Sequence, residues 1–523
     1  MKNLIIFSEN NKFTVDLFTK KFLNKSSLNL KCIIATENGY DLIRNNFDNI
    51  DIFNFSEFEK NNIKIKNKNI NELDQDILEE NIDIEILSNK LLDFYNPNGN
   101  KFSLREIRHS YYSSLVFSLN CLYTYNPDVV FFSNVPHSYN TIILALICKK
   151  KGIKTIFKRE ISIPGRFIFQ NDLFDCSLND DLILEENHQK IVQENSLFFK
   201  DYENNLKENN QKEISKIFSK KRDHYLINKI NLVKNFSLIF IFFFIFRQII
   251  LHIPKMVIRF LRDIFLYLLG PKNKYKNRIF LEDHWKSSNN LLKDSSTYRI
   301  YRDFELLKGD IRKYNLLKKY CSLTKNINQK KKFIYFALHY QPEATTYPFG
   351  NYFIDQIVAI KLLSAHIPDD YTIYVKEHPD IFNIGRESWV IGDFARDFNY
   401  YNELASIKNV QLVPLETSSL ELISNSQAIS TIAGAVGLEA ILKGKPVLLF
   451  GYPWYEKCEG AYIVSSHKKC KNSVDHLINK KKLEESRIKS FFQKACSSIF
   501  NDSDLYDENK LDYIQKKFLE KLN

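Results

Sequence analysis

Several features are scarce in this chain of 523 residues, and each scarcity excludes a class of protein. The most apolar run, residues 236–246, has 11 residues, whereas a membrane-spanning helix needs about 20. The eight cysteines form no C-x-x-C pair and no zinc pattern with histidine, so we interpret them as reduced thiols. The apolar stretch at the N-terminus is too short for a signal peptide and predicts a first strand. We therefore expect a cytoplasmic protein without a transmembrane anchor.

Positive charge exceeds negative charge, with 74 Lys and Arg against 62 Asp and Glu and a formal net charge of +12. An excess of this size is compatible with nucleic acid, an anionic lipid surface or a phosphorylated substrate as partner. The sequence contains no zinc finger or other compact nucleic-acid motif, so we do not expect nucleic acid among the partners.

Short apolar runs alternate with helical segments along most of the chain. The runs fall into two groups: 3–8, 30–35 and 128–133, then 332–338, 371–376, 409–413, 428–431 and 446–450. Such spacing is typical of a doubly wound α/β sheet, and its repetition predicts two lobes. We place a first lobe at 1–215, a second lobe at 276–481, and C-terminal helices at 482–523.

A basic, apolar insert at 216–275 separates the two lobes. Its central segment, 236–269, opens with the apolar run 236–246. On a helical wheel, the part that follows has one apolar face and one polar face, and Pro254 should kink the helix. The polar positions are Arg247, Gln248, His252, Lys255, Arg259, Arg262 and Asp263. Two interpretations stay open: the insert contacts the anionic inner face of the membrane, or it packs on the lobes as a hydrophobic hairpin.

Glycine is also scarce, with 14 in the chain, yet five fall between residues 434 and 460. The segment AISTIAGAVGLEAILKGKPVLLFG predicts a strand, a glycine turn at Gly434, a helix containing Gly437 and Glu439, and a second strand. Free amides at the start of such a helix suit a phosphate group. Glu439 is then a candidate for ribose hydroxyls, and Thr431 is a candidate phosphate ligand. Ordinary tight turns would produce the same glycines.

Polar residues gather after two further strands of the second lobe. VKEHPD places Lys376 and His378 at one strand end, where they could neutralise a phosphate leaving group. HYQPE follows the preceding strand and supplies Gln341 and the carboxylate of Glu343, a candidate nucleophile or base at an anomeric carbon. Asp355 is the rival carboxylate.

Candidate acceptor-side residues lie in the first lobe. NVPHSYN places His137 at a strand-to-helix junction, and KREISIPGR places Arg159, Glu160 and Arg166 after the next strand. The alternative for each is ordinary capping or a surface ion pair, which stabilises a protein little.

Three motifs in order, HYQPE, KEHP and TIAGAVGLEAILKGKPVLLFG, give the second lobe a resemblance to the bacterial capsule polysaccharide synthesis family, including its retaining β-Kdo transferases. The resemblance implies a GT-B-like α/β fold in which two Rossmann-like lobes face a cleft. It also implies that His378 contacts the phosphate of a CMP-sugar and that an acidic residue near Gln341, here Glu343, is the nucleophile. The family's usual Ser-Thr pair is replaced by Gly434-Ala435.

We therefore expect a glycosyltransferase of capsule or lipopolysaccharide synthesis. It would move a sugar, Kdo or a related 2-keto acid, from a nucleotide donor to a glycan or lipid-linked glycan. No metal or other cofactor is expected, because a cationic strand end and helix amides can stabilise the leaving phosphate and the second lobe lacks a D-x-D triplet. The alternatives are a nucleotide-sugar epimerase of the same two-lobed fold and a non-catalytic capsule assembly protein. The expected location is the cytoplasm, peripheral on the inner face of the inner membrane.

Overall fold

The computed structural model describes most of both predicted lobes and little of the insert. The described residues are 1–36, 39–54, 104–136, 139–161, 163–173, 189–210, 212–214, 296–341, 343–383, 396–479 and 483–522, with isolated helical positions between 258 and 268. His137 and nearly all of the 216–275 insert lie outside them. By contact density the chain forms one unit of residues 1–222, 324–378 and 402–523, and a second of residues 223–323 and 379–401.

The first lobe is built on a seven-stranded sheet with the order β13-β6-β5-β4-β1-β2-β3. Its strands are β1 Lys2–Ser8, β2 Leu28–Ala35, β3 Asp51–Asn54, β4 Val129–Phe132, β5 Lys154–Glu160, β6 Arg166–Gln170 and β13 Phe500–Asn501. Strands β1 to β5 pair in parallel, and β6 and β13 are antiparallel edge additions. The order 3-2-1-4-5-6 is that of a Rossmann fold.

The second lobe repeats that order in a six-stranded sheet, β12-β11-β10-β7-β8-β9, in which every pair is parallel. Its strands are β7 Lys332–Ala337, β8 Tyr371–Lys376, β9 Val410–Leu412, β10 Ala428–Thr431, β11 Val447–Leu449 and β12 Ala461–Ile463. The central strands are buried over almost their whole length, as their continuous apolar runs predict for a sheet covered on both faces. The expected α/β fold with two Rossmann-like lobes is confirmed.

Helices connect and cover the strands of both lobes. In the first lobe and its connections they are α1 Asn11–Leu17, α2 Lys20–Lys25, α3 Tyr40–Asn46, α4 Leu104–Tyr125, α5 Tyr139–Lys150 and α6 Gln189–Lys207. The later ones are α7 Ser296–Leu323, α8 Gln356–Ser364, α9 Tyr400–Ser406, α10 Ser419–Asn425, α11 Ala435–Leu442, α12 His467–Asn479, α13 Glu485–Cys496 and α14 Glu508–Glu520. Residues 351–354, 379–382 and 502–506 form short 3-10 turns.

Two segments belong by sequence to one lobe and by packing to the other. The buried face of α6 joins the core of the second lobe through Phe199, Tyr202 and Leu206. In return, the C-terminal tail adds β13 to the first sheet, and Phe518 of α14 packs edge-on against Phe18 in the first core. The aromatic rings of the tail and of α6 thus bury their apolar area in cores that lie far away in sequence.

The second compact unit has a small aromatic cluster of its own. Tyr320 of α7 contacts the rings of Phe382 and Tyr401, with centroid separations of 5.6 and 5.1 Å. The Lys313 ammonium group donates a hydrogen bond to the Asn383 carbonyl at 3.2 Å. These contacts attach Phe382, Asn383 and Tyr401 to α7, from which they are separated in sequence by the whole of β7 and β8.

Candidate active site

The strand order of the second lobe has its topological switch point between β7 and β10. These strands are neighbours at the centre of the sheet. From β7 the chain adds β8 and β9 on one side, and from β10 it adds β11 and β12 on the other side. Ligands of open α/β sheets bind outside the carboxyl ends of the strands at such a switch point. The segments that leave these two ends, residues 338–350 and 432–436, contain Gln341, Glu343 and Gly434.

His339 connects the two strand ends across the switch point. Its Nε2 atom lies 2.8 Å from the Thr431 hydroxyl and accepts a hydrogen bond from the Ile432 N–H at 3.2 Å. Because an amide N–H donates to Nε2, this ring nitrogen acts as a hydrogen-bond acceptor in the arrangement. The Thr431 hydroxyl, a predicted phosphate ligand, is thus engaged by a histidine of the same sheet.

The two predicted glycines are required by close packing at the start of α11. A Cβ atom at Gly434 would overlap the Cε1 atom of His339, and one at Gly437 would overlap the Tyr455 hydroxyl. That hydroxyl donates to the Gly434 carbonyl. Burial, followed by the charge of Glu439, raises the pKa of Tyr455, so it is a hydrogen-bond donor at neutral pH. The glycine turn is therefore clamped from both sides.

The start of α11 presents a row of unused backbone donors. Gly434 is the N-cap and supplies no capping side chain. Within the described part of the chain, the N–H groups of residues 433–436 donate to no acceptor. Free amides at a helix N-terminus attract anions, because their dipoles and that of the helix point the same way.

Glu439 lies one turn further along α11 and is 6% exposed. Its carboxylate accepts a hydrogen bond from the Tyr202 hydroxyl of α6 at 3.2 Å. This is the one hydrogen bond of the carboxylate among the described residues, whereas a carboxylate can accept about four. The carboxylate has capacity left for ligand hydroxyls.

Gln341 holds the loop after β7 rather than projecting from it. Its amide donates to the Ile354 carbonyl at 2.8 Å, and its oxygen accepts from Gln356 at 3.0 Å. Gln356, fully buried at the start of α8, also bonds both the N–H and the carbonyl of His339. This network fixes the backbone between β7 and α8, and with it the loop that carries Glu343.

Glu343 itself is exposed at the beginning of that loop. Its carbonyl accepts from the N–H groups of Thr346 and Tyr347, both at 3.0 Å, which starts a tight turn. Asp355, the rival carboxylate, is the N-cap of α8 and accepts from the Ile357 N–H at 3.0 Å. The two carboxylates therefore differ, since Asp355 has a capping role in the fold.

The two candidate ligand-binding residues at the end of β8, Lys376 and His378, have different surroundings. The Lys376 ammonium group is buried and donates to the Thr417 carbonyl at 2.7 Å and the Ser419 hydroxyl at 3.0 Å. His378 is half-buried, and its ring lies 5.9 Å from that of Tyr340 in the loop after β7. The fold thus brings His378 beside the Gln341 loop, while Lys376 holds the connection between β9 and α10.

The predicted acceptor-side residues have different surroundings. Glu160 has a 60% exposed side chain that pairs with Lys158 at 3.4 Å. The Arg166 guanidinium lies 3.6 Å from the centroid of the Phe198 ring, and burial lowers its pKa. His137 is outside the described residues.

Arg159 is the residue of this group that reaches the second lobe. Its guanidinium lies 3.6 Å from the centre of the Phe349 ring, and it donates to the Tyr452 carbonyl at 2.7 Å and to Gln170 at 3.0 Å. Burial lowers its pKa to about 9. Phe349 and Tyr452 lie in the segments that follow β7 and β11. Arg159 thus ties the first lobe to the loop that contains Glu343.

Sequence reasoning assigned no role to Tyr202, Gln356 or Tyr455, and it named His339 without one. The signal for His339 was its position directly after a predicted strand. Tyr202 had no local signal, because its partner is 237 residues away in sequence. Among the described residues, no group of three or more His, Cys, Asp or Glu side chains could hold a metal ion.

Residues 345–493 match the family model described as capsule polysaccharide biosynthesis protein. A curated relative, the capsule polysaccharide modification protein LipA of Neisseria meningitidis serogroup B, is 31% identical over 83 residues. That alignment covers 16% of this chain and 10% of the relative, so the chain spans about a tenth of the length of the curated relatives it matches.

Two solved structures are similar to parts or most of the chain. The β-Kdo 2,7 transferase KpsC of Thermosulfurimonas dismutans is 16% identical with a TM-score of 0.23, covering 40% of this chain and 62% of its own. The UDP-GlcNAc 2-epimerase of Methanocaldococcus jannaschii is 15% identical with a TM-score of 0.23, and the match covers 95% of this chain and 98% of the epimerase chain. The fold assignment rests on the strand orders given above. The predicted resemblance is confirmed: across residues 345–493 this chain is similar to the capsule polysaccharide biosynthesis proteins.

Proposed function

We propose that the protein is a glycosyltransferase of bacterial surface polysaccharide synthesis that uses a nucleotide-sugar donor. The observation that supports this most is the row of unused amides at residues 433–436. They lie one helical turn from the Glu439 carboxylate, which can accept further hydrogen bonds. A phosphate group and a vicinal diol are the two chemical features that a nucleotide-sugar presents at this spacing. The site lies inside the stretch that matches the capsule family.

In the proposed complex, the donor phosphate accepts hydrogen bonds from the amides of residues 433–436, and the positive end of α11 stabilises its charge. Glu439 accepts hydrogen bonds from the ribose hydroxyls. His378 follows β8, which is separated from β10 by β7, and in this proposal it donates to the phosphate as negative charge develops on it. Gln341 and Lys376 support the surrounding backbone, since their polar atoms are engaged with protein groups.

For the sugar-transfer step we propose Glu343 as the nucleophile. Its carboxylate forms a bond to the anomeric carbon while the bond from that carbon to the donor phosphate breaks, and the phosphate leaves with the electron pair. The acceptor hydroxyl then attacks the same carbon, loses its proton to a base and releases Glu343. We further propose a CMP-activated 2-keto sugar acid such as Kdo as the donor and a glycan or lipid-linked glycan as the acceptor.

The donor site is tested by thermal shift with CMP, UMP, GDP and UDP. A ligand that binds only the native state raises the melting temperature by mass action. We expect CMP to stabilise the wild type and His378→Ala to weaken that binding by about tenfold, or about 1.4 kcal/mol. His366→Ala, a surface histidine paired with His467, is the matched control. Equal CMP affinity in His378→Ala and the control would contradict the placement.

The nucleophile is tested with Glu343→Gln, which keeps the shape and removes the charge. We expect donor binding to persist and transfer to fall by about a thousandfold or more, because the transition state and covalent intermediate lose their partner. Glu485→Gln, an exposed glutamate at the start of α13, is the control. Transfer at the wild-type rate would assign the carboxylate to another residue. Interconversion of UDP-GlcNAc without an acceptor would instead favour the epimerase alternative.

We also propose that the insert attaches the protein peripherally to the inner membrane. Its described positions include Ile258, Leu261, Phe265 and Leu268, which recur at helical spacing and are 58–68% exposed. An exposed apolar stripe beside exposed Arg262 suits an anionic lipid surface. No helix in the described residues is long and apolar enough to cross a membrane.

Flotation with vesicles that contain phosphatidylglycerol tests this attachment. We expect binding that weakens with salt and is lost in Leu261→Ser/Phe265→Ser, because both apolar and charge contacts contribute. Vesicles of phosphatidylcholine alone are the control lipid. Equal flotation of the double variant and the wild type would leave packing against protein as the role of the insert.

A further inference from the structure

The helix α6 places Tyr202 beside Glu439 of the proposed donor site. It follows the first lobe in sequence, yet Tyr202 is fully buried in the core of the second lobe. Its hydroxyl points at Glu439 and donates to one carboxylate oxygen at 3.2 Å. Burial and the charge of Glu439 raise the pKa of Tyr202 well above its usual value, so the hydroxyl remains a donor.

A second tether fixes the register of α6 along α11. Lys443, one turn beyond Glu439, donates to the Leu206 carbonyl at 2.6 Å and to the Asn209 side chain at 2.7 Å. Two contacts one turn apart on both helices prevent α6 from sliding or rotating against α11. The Tyr202 hydroxyl is therefore held at a fixed position relative to Glu439.

Tyr202 is also connected to a residue of the first lobe, Arg166, through the ring of Phe198. The ring of Phe198, four residues earlier on α6, stacks against Tyr202 with 6.1 Å between centroids. Phe198 also contacts the Arg166 guanidinium, which lies 3.6 Å from the ring centroid. A residue of the predicted acceptor side is thus linked through two rings to the carboxylate of the predicted donor side.

We propose that Tyr202 is a positioning residue that orients the Glu439 carboxylate for the ribose hydroxyls of the donor and thereby sets the preference for ribonucleotides. This inference rests on the proposed function. With one oxygen held by Tyr202, the carboxylate plane is fixed, and its remaining acceptor sites are directed to the ligand. Without the hydroxyl, the buried carboxylate loses its one hydrogen bond among the described residues and its orientation is no longer defined.

The test compares the affinities of CMP and 2′-deoxy-CMP by calorimetry. We expect the wild type to prefer CMP by about tenfold or more, because a site that bonds a hydroxyl rejects the analogue that lacks it. Tyr202→Phe keeps the ring and removes the hydroxyl, and it should reduce that preference about fivefold or more. In a Glu439→Gln background, Tyr202→Phe should change the preference no further.

One control separates positioning from a loosened core. Tyr335→Phe removes a buried hydroxyl of the same core that donates to Ser419. It should lower the melting temperature and leave the CMP preference unchanged. A preference that falls equally in Tyr335→Phe and Tyr202→Phe would show that general loosening of the core explains the effect, and would overturn the inference.

The remaining outcomes distinguish this inference from the proposed function. If Glu439→Gln loses the preference and Tyr202→Phe keeps it, the donor placement stands and the role of Tyr202 is wrong. If neither CMP nor 2′-deoxy-CMP binds the wild type, or if Glu439→Gln leaves the preference intact, the donor placement is wrong and the inference falls with it.

Discussion

Replacing Gly434 with alanine tests the packing at the start of α11. The backbone at this residue has φ −85° and ψ 164°, a region open to every residue, so the substitution causes no backbone strain. The added Cβ, however, would overlap Cε1 of His339 and lie 3.3 Å from both ring nitrogens. The effect of the substitution is therefore a direct measure of the contact between the glycine turn and the histidine.

The expected loss of stability follows from what His339 must give up. Forcing an extra carbon into a packed site costs about 1–3 kcal/mol. If the ring moves away, the Ile432 N–H and the Thr431 hydroxyl lose their bonds to Nε2, and a buried donor left unpaired costs about 1–3 kcal/mol more. We expect Gly434→Ala to lower the free energy of unfolding by about 2–6 kcal/mol, the sum of these two costs.

Urea unfolding followed by tryptophan fluorescence gives this free energy, since Trp454 is buried in the same lobe. The matched control is the same substitution in a His339→Ala background, where the ring is absent. There we expect Gly434→Ala to cost less than about 1 kcal/mol, the residual cost of a poorer N-cap. An equal cost in both backgrounds, or a cost below about 1 kcal/mol in the wild type, would refute the packing argument.

Two further predictions concern the contacts of Arg159 and the buried thiols. Arg159→Lys should lower the melting temperature, and it should lower the free energy of unfolding by about 1–3 kcal/mol, because an ammonium group cannot stack on Phe349 and reach both acceptors. An unchanged melting curve would contradict this. Burial raises the pKa of the Cys458 and Cys496 thiols to about 12, whereas an unfolded thiol titrates near 9. The free energy of unfolding is therefore unaffected by these thiols below pH 9, and above pH 9 it falls by about 1.4 kcal/mol per pH unit for each thiol. Urea midpoints should fall between about pH 9 and 11, and they should fall less in Cys458→Ala.

The secondary structure of both lobes could be predicted from the sequence with good precision. The run 371–376 is β8 and the run 428–431 is β10, residue for residue. These elements are local: a continuous apolar run bounded by turn residues specifies a buried strand by itself. The strands β3, β6, β12 and β13 were not predicted, because each contains at most three consecutive apolar residues, too few to give a local signal.

Local patterns also placed the candidate site residues beyond the carboxyl ends of strands in the second sheet. His378, Glu343 and the glycine turn all follow strands, and in a parallel sheet the strand ends meet on one edge. The same patterns could not separate residues that face a ligand from residues that hold the backbone. Lys376 and Gln341 looked like ligands in the sequence, and their polar atoms are engaged with Thr417 and Ile354.

What only the tertiary structure decided is which distant side chains meet. Tyr202 reaches Glu439 across 237 residues, Arg159 reaches Tyr452 across 293, and His339 reaches Thr431 across 92. Each of these contacts depends on the order in which strands join a sheet and on which lobe a helix finally covers. The sequence determined the elements, because propensity and hydrophobic period act within a few residues. The fold determined the partners, because burying those elements against one another is what brings remote segments within hydrogen-bond distance.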